Sequence, residues 1–377
     1  MTLKAKITLD DACEFIVDCL HHTAPIQDEG YPSIRTPNIG KRRLLLDGVN
    51  RVSDETYRIW TQRAIPEPGD LILAREAPAG NVAIVKDGEK VCLGQRTVHP
   101  RPNVEIVDPD FLCYFLLAPP QQGKLLAAET GATAKHVNML DIRRLELLHL
   151  PDLAAQKAAG ALLAAYDDLI ENNRRRMALL EESARLLYRE WFVHLRFPGH
   201  EHTRITDGVP AGWERKTLGE CVTLNYGKAL KAEVRVDGEY PVYGSSGIVG
   251  SHEKPLVKGP ALILGRKGNV GSVYWSSKSF YPIDTVYFVD AESSSLYLYY
   301  ALKYMHFIST DVAVPGLNRD FAYSRPLLRP AATMLHAFLE TVTPIHAQLD
   351  KLDEMNQKLR AARDLLLPRL MSEEIVV

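Results

Sequence analysis

The chain is one plan written twice, and this repetition constrains its fold more than any other feature. Thr8-Leu9 recurs as Thr217-Leu218, and Tyr31-Pro32 recurs as Tyr240-Pro241, both 209 residues later. Short matches of this kind also arise by chance when gaps are placed freely, but the unbroken order of the anchors favours a duplicated unit. Further anchors follow, and the distance between matching residues only decreases along the chain. Leu71-Ile72-Leu73 with Arg75 matches Leu262-Ile263-Leu264 with Arg266 at 191 residues, and Gly80-Asn81-Val82 matches Gly268-Asn269-Val270 at 188, as Thr97-Val98 matches Thr285-Val286. Asn138 matches Asn318 at 180, and Pro151 and Leu180 match Pro330 and Leu359 at 179.

Each copy ends in a long segment in which apolar residues recur at alternating spacings of three and four. This heptad spacing is typical of two helices that pack against each other along one stripe. Asn173 and Asn356 interrupt the stripes, and each either fixes the register of the pair or occupies a tolerated exposed position. The residues that we predict to pair the helices are Leu163, Tyr166, Ile170, Met177, Leu180, Leu187 and Trp191 in the first segment, and Val342, Ile345, Leu349, Leu352, Leu359, Leu366 and Leu370 in the second.

Proline and glycine mark the boundaries of the helical segments. Pro151 and Pro330 precede them, and Pro198-Gly199-His200 ends the first. Thr343-Pro344 has the pattern of a helix N-cap followed by proline, which predicts a short helix and then a long one in the second segment. We therefore divide the chain into a first globular domain (1–150), a helical region (151–197), a linker (198–212), a second globular domain (213–330) and a second helical region (331–377).

Both globular halves mix strand-like and helix-like patterns. Short β-rich runs such as 70–74 and 261–264 are separated by Gly, Pro and Asn, whereas 109–118 and 296–304 have the pattern of helices. The predicted fold class is therefore α+β, with two similar domains of mixed α/β structure and long helices between them.

The composition excludes several classes of protein. No segment approaches the roughly 18 unbroken apolar residues of a membrane span, and the first residues lack the apolar core of a secretory signal. We therefore expect a cytoplasmic protein with no membrane partner. The five cysteines include no C-x-x-C pair, which predicts buried free thiols. A formal net charge of −2 lowers the expectation of nucleic-acid binding, although local clusters of cations can still supply it.

Catalytic motifs are missing from the sequence. Neither the Asn-Pro-Pro-Tyr of adenine methylation nor the G-x-x-x-x-G-K-[ST] of nucleotide hydrolysis occurs. The run from Gly265 to Gly271 resembles a phosphate loop only loosely and lies between two strand-like runs, so we predict a hairpin loop. His194, His200 and His202 lack cysteine or carboxylate partners at ligand spacing, so we predict no metal site.

Several motifs resemble the DNA-specificity subunit of type I restriction-modification systems. The likeness extends over essentially the whole chain, although the first half has Thr8-Leu9-Asp10-Asp11 where the second opens with Gly-Trp. The motifs are DDLIENNRRR (167–176) and LEESARLLYREWFVH (180–194), similar to the family's central region; RDLLLPRL (363–370), similar to its distal counterpart; GVPAGW (208–213) with Leu218-Gly219-Glu220, similar to the opening of a recognition domain; and GDLILAR (69–75), similar to an internal strand and loop.

The resemblance implies a pseudo-twofold molecule made from one chain, with two target-recognition domains joined by two long antiparallel helices that act as a coiled-coil spacer. It implies a non-catalytic subunit that reads a bipartite, asymmetric site in double-stranded DNA. The implied partners are two methyltransferase subunits and the restriction/translocase subunits, which would bind S-adenosylmethionine, ATP and Mg²⁺ in place of this chain. The alternative from a different class is a coiled-coil adaptor whose globular halves bind protein.

Candidate DNA contacts are donor-bearing side chains in loops and at matching turns of the repeat. Arg and Asn can pair with guanine and adenine edges, whereas Lys and Ser more often bind phosphate. Arg75 and Arg266 stand out because each follows the same strand in its own copy, although both could instead bond turn carbonyls. The full set is Arg35, Lys41, Arg42, Arg43, Arg75, Lys135 and His136 in the first half, and Lys228, Ser245, Ser246, Arg266, Lys267, Asn269, Asn318 and Arg319 in the second.

Overall fold

The computed structural model of the chain describes residues 7–130, 136–147, 150–307, 316–372 and 374–375. The chain divides into two compact units, the first made of Met1–Asn172 with Asn356–Val377 and the second of Asn173–Met355. Each unit contains one globular region and a part of both long helices. Within the described portion, no helix is both long and apolar enough to cross a membrane.

The globular region of the first unit is built on two sheets. Its described strands are β1 (Ile7–Thr8), β2 (Cys13–Asp18), β3 (Tyr31–Ile34), β4 (Arg51–Val52), β5 (Leu71–Ala74), β6 (Val82–Ile84), β7 (Cys92–Leu93), β8 (Thr97–Pro102), β9 (Glu129–Thr130), β10 (His136–Val137) and β11 (Glu146–Leu147). The antiparallel sheet has the order β2-β8-β5-β6, and the smaller sheet has the order β4-β3-β7 with β3 and β7 parallel. Two short antiparallel pairs, β1 with β11 and β9 with β10, complete this region.

Helices pack against both sheets of the first unit. Helix α1 (Asp54–Trp60) packs against the smaller sheet, whereas α2 (Pro109–Leu117), α3 (Pro119–Ala127), α4 (Met139–Arg143) and the first part of α5 (Leu153–Tyr188) share a core with the antiparallel sheet. Helix α2 begins where the Asp108 carboxylate accepts the Phe111 N–H at 2.9 Å, and Pro109 occupies its first turn. Its Phe111 side chain is fully buried in the same core as Leu71 and Leu73 of β5. Strand β5 is buried along its whole length, because sheet and helices cover both of its faces.

The globular region of the second unit repeats this topology. Its described strands are β12 (Ile205–Thr206), β13 (Val209–Pro210), β14 (Glu214–Thr217), β15 (Asn225–Tyr226), β16 (Tyr240–Gly244), β17 (Gly247–His252), β18 (Ala261–Gly265), β19 (Val273–Ser276), β20 (Tyr281–Pro282), β21 (Val286–Val289) and β22 (Pro326–Arg329); its helices are α6 (Leu218–Cys221), α7 (Leu296–Tyr304), α8 (Arg319–Tyr323) and part of α9 (Ala332–Met371). The sheets have the orders β15-β21-β18-β19 and β17-β16-β20, with β16 and β20 parallel.

The duplication is confirmed, but the structure corrects part of its register. Leu73 pairs with Val82 in the first unit and Leu264 pairs with Val273 in the second, so both hairpin strands repeat at 191 residues. The N–H of Gly80 donates to Ala74, as that of Gly271 donates to Gly265, both at 2.9 Å. Gly80 therefore corresponds to Gly271, and the match of Gly80-Asn81-Val82 to Gly268-Asn269-Val270 at 188 is wrong. The two loops have equal length, and the shared tripeptide lies at different places within them. The match of Thr97-Val98 to Thr285-Val286 is wrong by one residue, because Thr97 pairs with Ala74 whereas Val286 pairs with Gly265.

The two long helices pack antiparallel to each other inside each unit. In the first unit, Leu163 of α5 shares a core with Leu370 of α9. In the second unit, the Tyr188 ring of α5 lies 6.1 Å from the Phe338 ring of α9. The predicted helix-pairing residues are all buried or half-buried, and Asn173 and Asn356 are each only 1% exposed, which excludes the exposed alternative for both. Helix α5 ends at Tyr188 and continues as one π-helical turn, Arg189–Val193.

Helix α9 is a single helix from Ala332 to Met371. The predicted break at Thr343-Pro344 is therefore wrong. Proline at this place removes the N–H that would bond to the Glu340 carbonyl, which costs about 3 kcal/mol in a helix interior. Pro344 itself is exposed, whereas the neighbouring Val342 is fully buried and Ile345 packs against the same core. Burial of this apolar face holds the helix together across the proline.

Candidate nucleic-acid interface

Two equivalent loops follow the central strands of the two units, residues 75–80 after β5 and 266–271 after β18. Each begins with an arginine, and neighbouring segments fix the backbone of that arginine on both sides. The loops are therefore presented by the same backbone frame in both units. Its hydrogen bonds run from Arg75 N to Arg96 O (3.1 Å), from Val137 N to Arg75 O (2.9 Å), from Arg266 N to Thr285 O (2.9 Å) and from Leu317 N to Arg266 O (2.8 Å).

In the second unit, the Arg266 guanidinium packs on aromatic rings. Its Cζ lies 4.9 Å from the ring centre of Tyr226 and 5.7 Å from that of the buried Tyr287. Nη1 of Arg266 donates to the Asp284 carbonyl at 3.2 Å. One of its N–H groups therefore bonds a turn carbonyl, which was the alternative role expected for this arginine. The side chain is half-exposed.

Arg319 approaches the same tyrosine from α8. Its Cζ lies 5.3 Å from the ring centre of Tyr226 and 5.9 Å from that of Tyr323. The Asn318 side chain caps this helix, since its Oδ1 accepts the N–H groups of Asp320 at 2.7 Å and of Phe321. The Asn318 oxygen is thus used by the fold.

Tyr226 is a site residue that the sequence reasoning missed. Its side chain is 48% exposed at the edge of the sheet, and the two arginines flank it. The available signal was an aromatic residue beside Gly227, where the chain leaves a strand at a loop-rich edge. Its contribution to the site is the aromatic face, which donor capacity does not reveal.

Ser245 supports the 266–271 loop from the turn between β16 and β17. Its carbonyl accepts the hydroxyls of Ser272 at 2.6 Å and of Tyr274 at 3.1 Å, and its Oγ accepts the Asn269 N–H at 3.4 Å. Ser245 therefore holds the loop in place. The other second-half candidates, which are exposed around it or at nearby turns, are Lys228, Ser246, Lys267 and Asn269.

The matching place in the first unit has different chemistry. Asp18 pairs with Val98 in the ladder as Tyr226 pairs with Tyr287, so an acid stands where the second unit has the aromatic ring. Asp18 forms an ion pair with Arg63 and a hydrogen bond of 3.0 Å with Nε2 of His21.

The loop that begins at Arg75 also differs from its counterpart. Glu76 follows Arg75 and pairs with Arg96 at 3.2 Å, where the second unit has Lys267. Met139, half-buried, opens α4 at the position where Arg319 opens α8. Two sites with one backbone frame thus present different side chains.

Arg42 and Arg43 are bound to helices of the first unit. The Arg42 guanidinium is buried and pairs with Asp110 at 2.8 Å and with Asp168 at 3.0 Å. Arg43 pairs with Glu171 on α5. The burial and pairing of Arg42 argue against its use as a DNA ligand, because contact with DNA would break two ion pairs.

The remaining first-half candidates lie around these groups. Arg35 and Lys41 are exposed, and the Arg35 N–H donates to Oδ1 of Asn38 at 3.0 Å. His136, in β10, is half-buried and forms a bridge with Glu76 beside the Arg75 loop. Lys135 lies outside the described residues.

Metal-binding and thiol chemistry add nothing to this site. In the described ranges, no group of three His, Cys, Asp or Glu side chains is placed to hold a metal ion. Cys19, Cys92 and Cys113 are buried, whereas Cys13 and Cys221 are half-buried. Burial raises the pKa of the Cys92 thiol to about 12, so this group stays protonated and unreactive near neutral pH.

Comparison with known proteins identifies the family. The type I restriction enzyme MjaIX specificity subunit of Methanocaldococcus jannaschii is 21% identical over 362 residues, which cover 88% of this chain and 83% of that protein. The type I restriction enzyme HindI specificity subunit of Haemophilus influenzae is 20% identical and covers 92% of this chain and 95% of its own. The crystal structure of the type I restriction-modification system S subunit from M. genitalium has the same fold, with a TM-score of 0.64 over 98% of both chains at 19% identity.

A family model covers most of both globular regions. Residues 24–182 and 210–320 match the model of the type I restriction modification DNA specificity domain, once in each copy of the repeat. The match extends over more than half of the chain and contains both arginine loops. The chain therefore belongs to the family of type I restriction-modification DNA-specificity subunits.

Proposed function

We propose that this chain is the non-catalytic, sequence-reading subunit of a type I restriction-modification complex. Each unit reads one half of a bipartite site in double-stranded DNA. The two half-sites differ in sequence, because the two units present different side chains. The two long helices set the separation between the half-sites.

The observation that carries this proposal is the pair of loops at Arg75 and Arg266. A family whose model is a DNA-specificity domain is expected to bind DNA through side chains held on a constant frame. Here the frame is the same set of backbone hydrogen bonds, while Asp18 and Glu76 in one unit stand where Tyr226 and Lys267 stand in the other. Different donors on an identical frame favour different bases.

Partner subunits supply the chemistry in this proposal. Two methyltransferase subunits bind the helical region and carry S-adenosylmethionine, and restriction/translocase subunits join them and carry ATP and Mg²⁺. Partner cations are also expected to contribute to phosphate binding, since the net charge of this chain is only −2.

The proposal is tested by long-read mapping of methylated adenines in cells that carry this chain with its cognate methyltransferase subunit, compared with cells that lack only this chain. We expect one bipartite, asymmetric methylated motif that disappears on deletion. Binding of the purified complex to duplexes with and without that motif is measured in parallel, at two stated salt concentrations. If no motif depends on the chain and the complex binds both duplexes equally, the chain is a protein-binding adaptor and the proposal fails.

A further inference from the structure

The cluster of Tyr226, Arg266 and Arg319 in the second unit has a geometry suited to one kind of ligand. A guanidinium that packs over an aromatic ring is restrained in position, and its N–H groups that do not face the ring remain able to donate. Tyr226 contacts both guanidinium groups and is itself about half exposed. The ring therefore brings two forked donors to one place on the surface.

The charge around this cluster leaves the donors available. Arg266 uses Nη1 on the Asp284 carbonyl and also interacts with the Tyr287 hydroxyl, and among the residues that the structure describes no carboxylate forms an ion pair with Arg266 or Arg319. This contrasts with Arg42, Arg43 and Arg63 of the first unit, whose guanidinium groups are all bound to carboxylates. An acceptor from outside the chain is the natural partner for the two second-unit arginines.

Guanine is the base whose acceptors fit such a donor. Its O6 and N7 lie side by side on the major-groove edge and accept two parallel N–H bonds from one guanidinium, whereas adenine and cytosine present an amino donor on that edge. A phosphate can also accept two bonds from one guanidinium, but it carries no sequence information, so the two ligands are distinguished by whether binding depends on N7 of a particular guanine. Because the ring restrains both guanidinium groups in position, the cluster favours a planar ligand whose acceptors lie in a fixed plane.

We propose that Tyr226 is a positioning residue that holds Arg266 and Arg319 as a pair of guanine-reading side chains, so that the half-site read by the second unit contains guanine. The inference rests on the DNA-reading function proposed above. At the matching positions of the first unit, Asp18 replaces the tyrosine and Met139 replaces the second arginine, so the described residues there do not form such a pair. The guanine contact therefore belongs to one half-site only.

The test replaces single atoms of the DNA. Each guanine of both half-sites is changed in turn to 7-deazaguanine, which lacks the N7 acceptor, and binding of the complex of this chain with its methyltransferase subunits is measured. The wild-type complex is expected to lose about tenfold in affinity at one or two guanines of one half-site. Tyr226→Ala is expected to weaken binding to the normal duplex and to reduce that sensitivity to about twofold or less.

Conservative variants separate positioning from folding. Tyr226→Phe keeps the ring and should retain the sensitivity to 7-deazaguanine, whereas Arg266→Lys keeps the charge, loses the fork and should lose the sensitivity. Lys254→Ala is the matched control, because Lys254 is an 80% exposed cation of the same unit that pairs with Glu253. It should leave the pattern of sensitive guanines unchanged.

Three outcomes would overturn the inference. In the first, replacement of any guanine of either half-site by 7-deazaguanine leaves the affinity of the wild-type complex unchanged. In the second, Tyr226→Ala weakens binding to every duplex equally and leaves the 7-deazaguanine pattern intact, which would assign the arginines to phosphate. In the third, the wild-type complex shows no sequence-dependent binding at all, and this result alone would also remove the proposed function.

Discussion

The hydroxyl of Tyr300 lies 2.8 Å from Nε2 of His346, inside the core that α7 forms with α9 in the second unit. Burial lowers the pKa of His346 to about 4, and the Lys303 ammonium acts in the same direction while the Glu181 carboxylate opposes it. The imidazole is therefore neutral at physiological pH and shares one hydrogen bond with the tyrosine hydroxyl.

Acid is expected to destabilise the chain through this histidine. The unfolded chain takes up a proton on His346 below its usual pKa of 6.5, whereas the folded chain resists protonation until about pH 4. The free energy of unfolding therefore falls as the pH drops through this window, by about 2 kcal/mol between pH 7 and pH 5. His346→Gln keeps a group that can accept from Tyr300 and should remove this part of the slope in urea titrations. An unchanged slope would show that folding does not lower the pKa of His346.

Replacement of Pro344 by alanine is expected to stabilise the chain. The residue is exposed in the interior of α9, so alanine would restore an N–H bond to the Glu340 carbonyl without disturbing the core. The free energy of unfolding should rise by about 1–3 kcal/mol. Pro368→Ala is the comparison, since Pro368 lies in the last turn of the same helix, where a lost bond matters less. A decrease in Tm for Pro344→Ala would mean that the proline has a role in the fold.

Truncation of Phe338 should be among the most damaging changes in the second unit. Its ring is fully buried and lies 4.9 Å from that of Phe192 in an edge-to-face contact. Phe338→Ala is expected to cost about 3–5 kcal/mol, measured by denaturant unfolding. Leu179→Ala provides the control, because Leu179 is 71% exposed and should change the stability by less than about 0.5 kcal/mol.

Arg42 is expected to matter for stability and not directly for DNA affinity. Arg42→Met leaves Asp110 and Asp168 without this partner, while Lys86 still pairs with Asp168. The free energy of unfolding should fall by about 2–4 kcal/mol, with DNA affinity unchanged in conditions where the variant is folded. Lys41→Met, at the exposed neighbouring position, should leave the stability nearly unaltered. Loss of DNA affinity in fully folded Arg42→Met would instead make this arginine a ligand.

Periodic patterns in the sequence predicted the large features of the fold. The apolar stripes of α5 and α9 are buried or half-buried as expected, because a heptad repeat of apolar residues is stable when the stripe packs against another helix. The repeat was found from short anchors, but its register near Gly80 needed the backbone hydrogen bonds, since a tripeptide in a loop carries no pairing information. The prediction of a helix break at Pro344 was wrong, because burial of apolar side chains on the opposite face of the helix outweighs the local effect of the proline.

The candidate site was harder to predict because charge alone does not say where a side chain is used. Arg42 and Arg266 are both predicted DNA contacts, yet Arg42 pairs with Asp110 and Asp168 whereas Arg266 packs on Tyr226. That distinction depends on residues more than 35 positions away in the chain. Only the fold brings them together.

The loops that begin at Arg75 and Arg266 are held by main-chain hydrogen bonds, which every amino acid except proline can form. A substitution in the surrounding side chains leaves those bonds in place. The side chains presented by the loops can therefore change while the loop backbone keeps its conformation. If these loops read DNA as proposed, a lineage that carries such a chain can acquire a new target sequence through changes of side chains, without first evolving a new scaffold.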